Sequence, residues 1–596
     1  MKKLISLLVI FLLLCGISYS QYQKAIPHSA VKEGISDIDY RVPTNTGLMM
    51  VESDPPAGTI PFLLNFHDYV TNGNNLKNLW ILGDTVIAGM DNADSVNVAT
   101  SSARKMYYQV SYNGGLNWLT DPVLPVASTG TAYTNFIPTF LSGQRTIVLS
   151  GREFAPGSRG TSIVELAFPT GVCQSYLNPA PGRDYFAYDG GGTMIKGGYQ
   201  CGDTVKYASF DYNTNSYGTP VLLAVPNDDV YQNARVFAAT SPTQNRVAIA
   251  WWIASGGTAP QSLVYKESVD GGSTFGAKSN ICVVGYIVNS DSVAPWFGMD
   301  LIYKPGTTQL MAAFNTLGFS GGAPNYGTRK GYKLLFWSPT INGGNPVLIA
   351  DRSNVPLLMT DTAFNNNLLD IQVGMTAVSH PSLAYSSDGS RLYCVYSATQ
   401  RDTSNFPAGW ANFNFNDIYL SYSNDNGATW SGPYFVTNTP QDDEIYPTIS
   451  PTGNVGNYIH VSYHSSKYPG SAQFSDLSYT GRTYRVYKKL DITTLPPVGI
   501  REIGVTTVPA SFTLKQNFPN PFNPETRIQF NIAKAGFVSL KVYDAVGREV
   551  TTLVNMDMRP GAYEVMFDGR GLASGMYFYT MRANGYVETK KMMLVK

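Results

Sequence analysis

Charge is scarce in this chain of 596 residues: Lys and Arg number 42, Asp and Glu number 42, and together they supply 14% of the sequence. The balance leaves no global field, which sets aside nucleic acid and anionic membrane as partners. Histidine and cysteine are rarer still, at five each. His28, His67, His380, His460 and His464 fall into no metal-ligand spacing, and His460 and His464 read as polar-face residues of a strand. No metal and no other cofactor is expected. Cys173, Cys201, Cys282 and Cys394 are too scattered for a zinc ribbon, and Cys173 with Cys201 is the nearest pair for a disulfide. Past the first residues no apolar run reaches the roughly 18 residues of a membrane helix, so no transmembrane segment is expected.

Turn and strand material is plentiful. Gly at 56, Pro at 36, Tyr at 39 and aromatics at 13% point to many short strands closed by tight turns, hence an all-β chain. At the N-terminus, Met1-Lys2-Lys3, the apolar run from Leu4 to Leu14 and small residues at Ser18 and Ser20 form a secretory signal peptide over 1–20. Cys15 lacks the small preceding residue that lipidation wants. Residues 21–60 then form a lead-in to the body.

At the other end, Asn517 to Pro524 concentrates Pro and Asn around Phe518 and Phe522, a turn-rich lead-in with few ladder donors. Ile528, Phe530 and Ile532 alternate on one face, and Val538, Leu540 and Val542 repeat the pattern. Asp544 to Gly547 makes a hairpin turn. Order and spacing resemble the type A sorting domain of the type IX secretion system of Bacteroidota. The landmarks are Pro519, Asn520, Pro521, Phe522, Asn523 and Pro524, then Tyr543 and Gly547, then Gly575 and Tyr577, and the ending from Lys591 to Lys596. The resemblance implies a small immunoglobulin-like β-sandwich over 511–596, preceded by a linker over 496–510. It implies the type IX secretion machinery as partner, and a secreted or outer-membrane surface location reached through the periplasm.

Between the ends, one phrase recurs. Ser111, Asn113, Gly115 and Trp118 are matched by Ser268, Asp270, Gly272 and Phe275, and again by Ser423, Asp425, Gly427 and Trp430, at nearly even spacing. Each set follows a short strand, and its chemistry is that of a turn: a polar side chain binds backbone amides, glycine supplies positive φ, and the aromatic folds beneath. The phrase resembles the Asp-box, or BNR repeat, of sialidase-like β-propellers. That implies a six- or seven-bladed β-propeller over 61–495, with the repeated turns structural rather than catalytic. Similar units begin near Ile137, Asp184, Asp300, His380 and Tyr446, and Val247 to Trp252 reads as a buried central strand.

Chemistry is harder to locate. Tyr40-Arg41-Val42-Pro43 resembles the early arginine motif of sialidases, which makes Arg41 the catalytic candidate. Arg104, Arg235, Arg246 and Arg391 announce no arginine triad beside it. Asp442-Asp443-Glu444 reads as a loop, solvated or beside calcium. Two functions remain: a non-catalytic module binding extracellular glycan or protein, with Trp296, Phe297, Phe406, Trp410 and Phe413 as candidate stacking rings although burial inside the blades is expected for most of them, or an exo-acting sialidase-type glycoside hydrolase.

Overall fold

The strand Arg246–Ile253 shows how this chain builds its core. Val247, Ile249 and Trp251 pack with Val205 and Tyr207 of the preceding sheet, while Ala248, Ala250 and Trp252 pack with Leu301 and Phe314 of the following one. A strand covered on both faces has no reason to alternate polar and apolar residues, which accounts for the unbroken run Val-Ala-Ile-Ala-Trp-Trp.

The computed structural model describes residues 60–65, 77–92, 105–119, 131–141, 143–153, 159–169, 172–178, 183–187, 194–201, 204–225, 236–253, 262–321, 323–325, 331–351, 354–355, 376–399, 416–439, 442–466, 483–495, 500–502, 509–534, 536–558, 560–569 and 572–596. Among these residues there is no α-helix, and nine antiparallel sheets are formed. No helix among them is long and apolar enough to cross a membrane.

Seven of the sheets follow one another along the body. Sheet I comprises Leu79–Leu82, Thr85–Asn92 and Lys105–Ser111. Sheet II runs from Thr131–Leu141 through Gln144–Glu153 and Arg159–Ala167 to Val172–Leu177. Sheet III begins with Arg183–Ala187 and continues through Met194–Cys201 and Thr204–Asp211. Sheet IV consists of Val236–Ser241, Arg246–Ile253, Ser262–Ser268 and Ser279–Cys282. Sheet V is centred on Asp291–Tyr303, Leu310–Ser320 and Leu334–Trp337. Sheet VI comprises Val378–Tyr385, Leu392–Thr399, Asn416–Ser423 and Ser431–Phe435. Sheet VII joins Asp443–Ile449, Tyr458–Ser466 and Thr483–Asp491 to Ile60–Asn65, so its outermost strand comes from the opposite end of the body.

Apolar layers fill the joints between I and II, II and III, III and IV, IV and V, V and VI, and VI and VII. Sheet VII in turn meets sheet I: the Thr452 hydroxyl donates to Ile81 O at 2.7 Å, Arg485 Nη2 to Asn78 Oδ1 at 3.1 Å, and Tyr487 Oη to Gly114 O at 3.2 Å. The units expected to begin near Ile137, Asp184, Asp300, His380 and Tyr446 lie in leading strands of sheets II, III, V, VI and VII.

The C-terminal region is two four-stranded sheets enclosing one core. Ile500–Glu502, Gly561–Asp568, Glu525–Ile532 and Thr513–Leu514 form the first, and Glu549–Met558, Gly536–Tyr543, Gly575–Ala583 and Tyr586–Leu594 the second. Ile528, Phe530, Ile532, Val538, Leu540 and Val542 all point into that core, as their alternation requires. Ile500–Glu502 falls inside the stretch expected as linker, yet it pairs with Gly561–Asp568 through Ile500 and Val565.

Three expectations change. Trp296 is 2% exposed and lies in the core between sheets V and VI, so it offers no stacking surface. His460 and His464 are buried, not solvated, because sheet VII is covered on both faces. Asp443 and Glu444 lie on a buried strand rather than in a loop. Cys173 is half-buried, and the side chain of Cys201 lies outside the described residues.

Candidate functional site

The three repeated turns share one hydrogen-bond plan. In the second, Ser268 Oγ donates to Asp270 Oδ1 at 2.7 Å and accepts from Gly272 N at 2.7 Å, while Asp270 takes Thr274 N at 2.8 Å and the Thr274 hydroxyl at 2.6 Å. The third repeats this with Ser423, Asp425, Gly427 and Thr429 at the same four distances. The first keeps the Ser111, Asn113 and Gly115 bonds but has Asn117 where the others have threonine. Hydrogen bonds from the Thr274 hydroxyl and backbone hold the exposed Asp270 carboxyl down to about 2. A carboxylate satisfied in this way is an organiser of the turn, not a proton donor.

Each turn also grips a neighbouring sheet. Gly115, Gly272 and Gly427 adopt φ of +90°, +102° and +98°, and an added Cβ would lie 2.1, 2.2 and 2.1 Å from Tyr487, Tyr207 and Phe336 respectively. The turn aromatics complete the grip, with ring centroids 5.7 Å apart for Trp118 and Tyr487, 5.2 Å for Phe275 and Tyr207, and 5.4 Å for Trp430 and Phe336. Glycine is needed here because a flat ring occupies the place of its side chain.

Polar side chains gather instead at the leading strands. Lys77, at the entrance to sheet I, pairs with Asp300 of sheet V and donates to Leu383 O of sheet VI at 3.1 Å; Leu383 N in turn donates to Asp300 Oδ2 at 2.6 Å. One lysine thus ties together sheets that are not neighbours in the chain. Leading strands V, VI and VII carry bulges at Pro295/Met299, Ser379/Ser382 and Ile445/Thr448. His380 and Tyr446 sit in the last two with φ of 51° and 53°, conformations unfavourable to L side chains, and their rings meet edge to face at 4.7 Å.

Arg485, which no local sequence pattern singles out, is fully buried beside this pair. Its Nη1 donates to Tyr446 O at 2.8 Å, and Nη2 faces Asn78 Oδ1, Ser462 Oγ and Thr448 Oγ1 at 3.1, 3.1 and 3.3 Å. His464 lies directly opposite on the neighbouring strand. Burial, with the Arg485 charge second, pulls the His464 imidazole down to about 3, so the ring is neutral at physiological pH.

A second buried group joins sheets VI and VII. Asp417 takes the Thr437 hydroxyl and Thr439 N, both at 3.1 Å, and Glu444 takes the Thr439 hydroxyl at 2.6 Å. Burial first, then the neighbouring carboxylate, raises Glu444, and burial raises Asp417 to about 6. Tyr419, Tyr463, Asp442 and Lys488 face the pair. Asp417 Oδ2 and Glu444 Oε2 are buried without a hydrogen-bond partner, which favours the neutral form of each carboxyl. Because burial holds the folded Asp417 carboxyl at about 6, above the unfolded value of 3.8, its contribution to stability is full below 3.8 and is lost as pH rises through about 6. Asp417→Asn, which keeps a donor at any pH, should therefore gain stability relative to wild type between about pH 4 and pH 7, read from paired thermal melts. Parallel pH profiles would refute the upward shift of the Asp417 carboxyl.

The sequence candidates scatter. Arg41 lies outside the described residues, as do the side chains of Arg104, Arg235, Phe297, Phe406, Trp410 and Phe413. Arg246 pairs with Glu267 at 3.0 Å on sheet IV, and Arg391 Nε donates to Asn424 at 2.9 Å beside the third repeated turn, so the two do not converge. Among the described residues, no group of three or more His, Cys, Asp or Glu side chains is placed to hold a metal.

The C-terminal landmarks, by contrast, converge. Phe522 N donates to Met593 O at 2.9 Å and Val595 N to Phe522 O at 3.0 Å, laying the proline-rich loop along the end of the chain. Met593 N donates to Asn520 Oδ1 at 3.0 Å, Thr526 Oγ1 to Pro519 O at 2.7 Å, and Gly569 N to Pro524 O at 2.8 Å. Gln516 Nε2 donates to Lys591 O at 2.8 Å, Tyr577 Oη to Ala573 O at 2.9 Å, and Lys596 N to Ser574 Oγ at 3.0 Å. Pro521 and Asn523 complete the same loop. Tyr543 ends the strand before the Asp544 turn, where Gly547 has φ of +83°. Gly575 opens the strand that pairs with the last one.

Residues 516–596 match the family described as the secretion system C-terminal sorting domain. This assigns the chain to export by the type IX machinery, towards secretion or the cell surface. Nothing among curated proteins matches the chain. Among solved structures, it is similar to the NanB sialidase from Streptococcus pneumoniae at 13% identity, covering 73% of this chain and 71% of that one, with a TM-score of 0.35. A protein of unknown function from Dyadobacter fermentans gives 12%, 72%, 99% and 0.35, and the WD40 domain of Toxoplasma gondii coronin 8%, 73%, 87% and 0.36. Likenesses this loose carry no functional argument.

Proposed function

We propose that this chain is an exported cargo whose body is a seven-bladed Asp-box β-propeller that binds an extracellular glycan or protein without catalysis. The sorting-domain match at residues 516–596 carries the export half of this reading. The propeller half is supported by seven successive sheets, by Ile60–Asn65 completing the last of them, and by Lys77 reaching sheets V and VI across what would be the central axis. The three repeated turns are then Asp-boxes that clamp blades I, IV and VI to the blades before them.

Binding is favoured over sialidase chemistry by the placement of the arginines among the described residues. Sialidase-type recognition needs several guanidinium groups on one carboxylate. Here Arg246 and Arg391 are engaged at separate turns and strands, while Arg485 is committed to Tyr446 O and its neighbours. The purified exported chain, applied to glycan arrays and to fluorogenic sialosides, should show saturable binding and no turnover. Hydrolysis of a sialoside would replace this reading with the exo-sialidase one; absence of binding to any glycan or surface protein would remove the binding role.

A further inference from the structure

We infer that the joint between sheets VII and I holds a small monovalent inorganic anion of chloride size, bound between Arg485 and His464. Arg485 is 0% exposed and its partners are all neutral: a backbone carbonyl, an amide oxygen and two hydroxyls. Among the described residues no carboxylate pairs with it, although Lys333 and Lys77 each have one. Lys333 has Asp351 at 2.9 Å and Asp291 at 3.0 Å, and Lys77 has Asp300. A buried guanidinium without a counter-charge is the costly case.

Two further features indicate what supplies the missing charge. Arg485 Nε has no hydrogen-bond partner, and neither ring nitrogen of His464 has one. The two residues are paired across adjacent antiparallel strands, which puts their side chains on one face and within contact range. Arg485 therefore offers an unused N–H, and the His464 ring a second, from facing positions on one side of the sheet. A single anion accepts both and neutralises the guanidinium. Water could bridge the same atoms but would leave the charge in place. Because His464 is also 0% exposed, a carboxylate on a macromolecule cannot reach the site, and a polyatomic anion would have to bury oxygens with no further donors. The chemistry left is a compact halide. This inference is independent of whether the body binds a glycan.

Bromide tests it, because it substitutes for chloride and scatters anomalously. The full chain should melt about 3 °C higher in saturating bromide or chloride than in gluconate of equal ionic strength, with a saturable dose dependence. The double variant Arg485→Gln, His464→Leu should lose that dependence. If the variant does not fold, crystals of the wild-type chain grown in bromide still decide: an anomalous peak within hydrogen-bond reach of Arg485 Nε upholds the site. A water at that position, or wild-type melting indifferent to halide, overturns it.

Discussion

A chain ending at residue 495 should remain in the periplasm of a bacterium with type IX machinery, while the full chain reaches the surface or medium. Every sheet pairing of the body lies within residues 60–495, so the truncated body keeps its own hydrogen bonds and cores and the loss is one of address rather than of folding. Cell fractionation with immunodetection reads the outcome, and the exported fraction should fall to background. A truncated body that still reaches the surface would mean that the sorting domain is dispensable for this cargo. The cut belongs at 495 rather than 510 because Ile500–Glu502 is a strand of the C-terminal unit; a reporter joined to residues 500–596 should be exported more efficiently than one joined to residues 511–596.

Gly427→Ala should destabilise the folded body by about 3 kcal/mol or more, the largest single-residue effect expected. Two costs combine there: φ of +98°, which an L side chain resists, and a Cβ placed 2.1 Å from a ring carbon of Phe336. Gly389→Ala separates them, because Gly389 has φ of +70° with nothing within 4 Å of the added carbon. That control should cost only the backbone penalty of about 1 kcal/mol. Chemical denaturation of the two variants makes the comparison. Equal losses would show that the turn does not grip the preceding sheet and that its glycine serves φ alone.

Much of this architecture is legible in the sequence wherever the information is local. Alternation at Ile528, Phe530 and Ile532 dictates a strand with one buried face, and the Ser-x-Asp spacing places a hydroxyl and a carboxylate where only a turn can use both. The illegible parts depend on distant partners. Asp442-Asp443-Glu444 has the composition of a loop, yet Asp443 is buried because Asn416 N and Nδ2 both donate to it at 2.8 Å. Arg485 looks like any surface arginine on a strand until Asn78, from the far end of the body, accepts from it. Trp296 looks like an exposed ring until sheets V and VI close around it. The missing counter-charge at Arg485 is of the same kind: it is a property of what fails to arrive, and no window of sequence records that.

The pairing of Ile60 with Tyr487 has a consequence in time. Chains emerge from the ribosome, and cross a membrane, N-terminus first, so the strand at Ile60–Asn65 must wait unpaired until almost the whole body has followed it. Contacts this remote in sequence are the slowest to form. Soon after residue 491 appears, the C-terminal unit completes as well, its own core needing nothing from the body. Completion of the body and readability of the address therefore nearly coincide, and a chain broken off early has neither a finished last sheet nor a label for export.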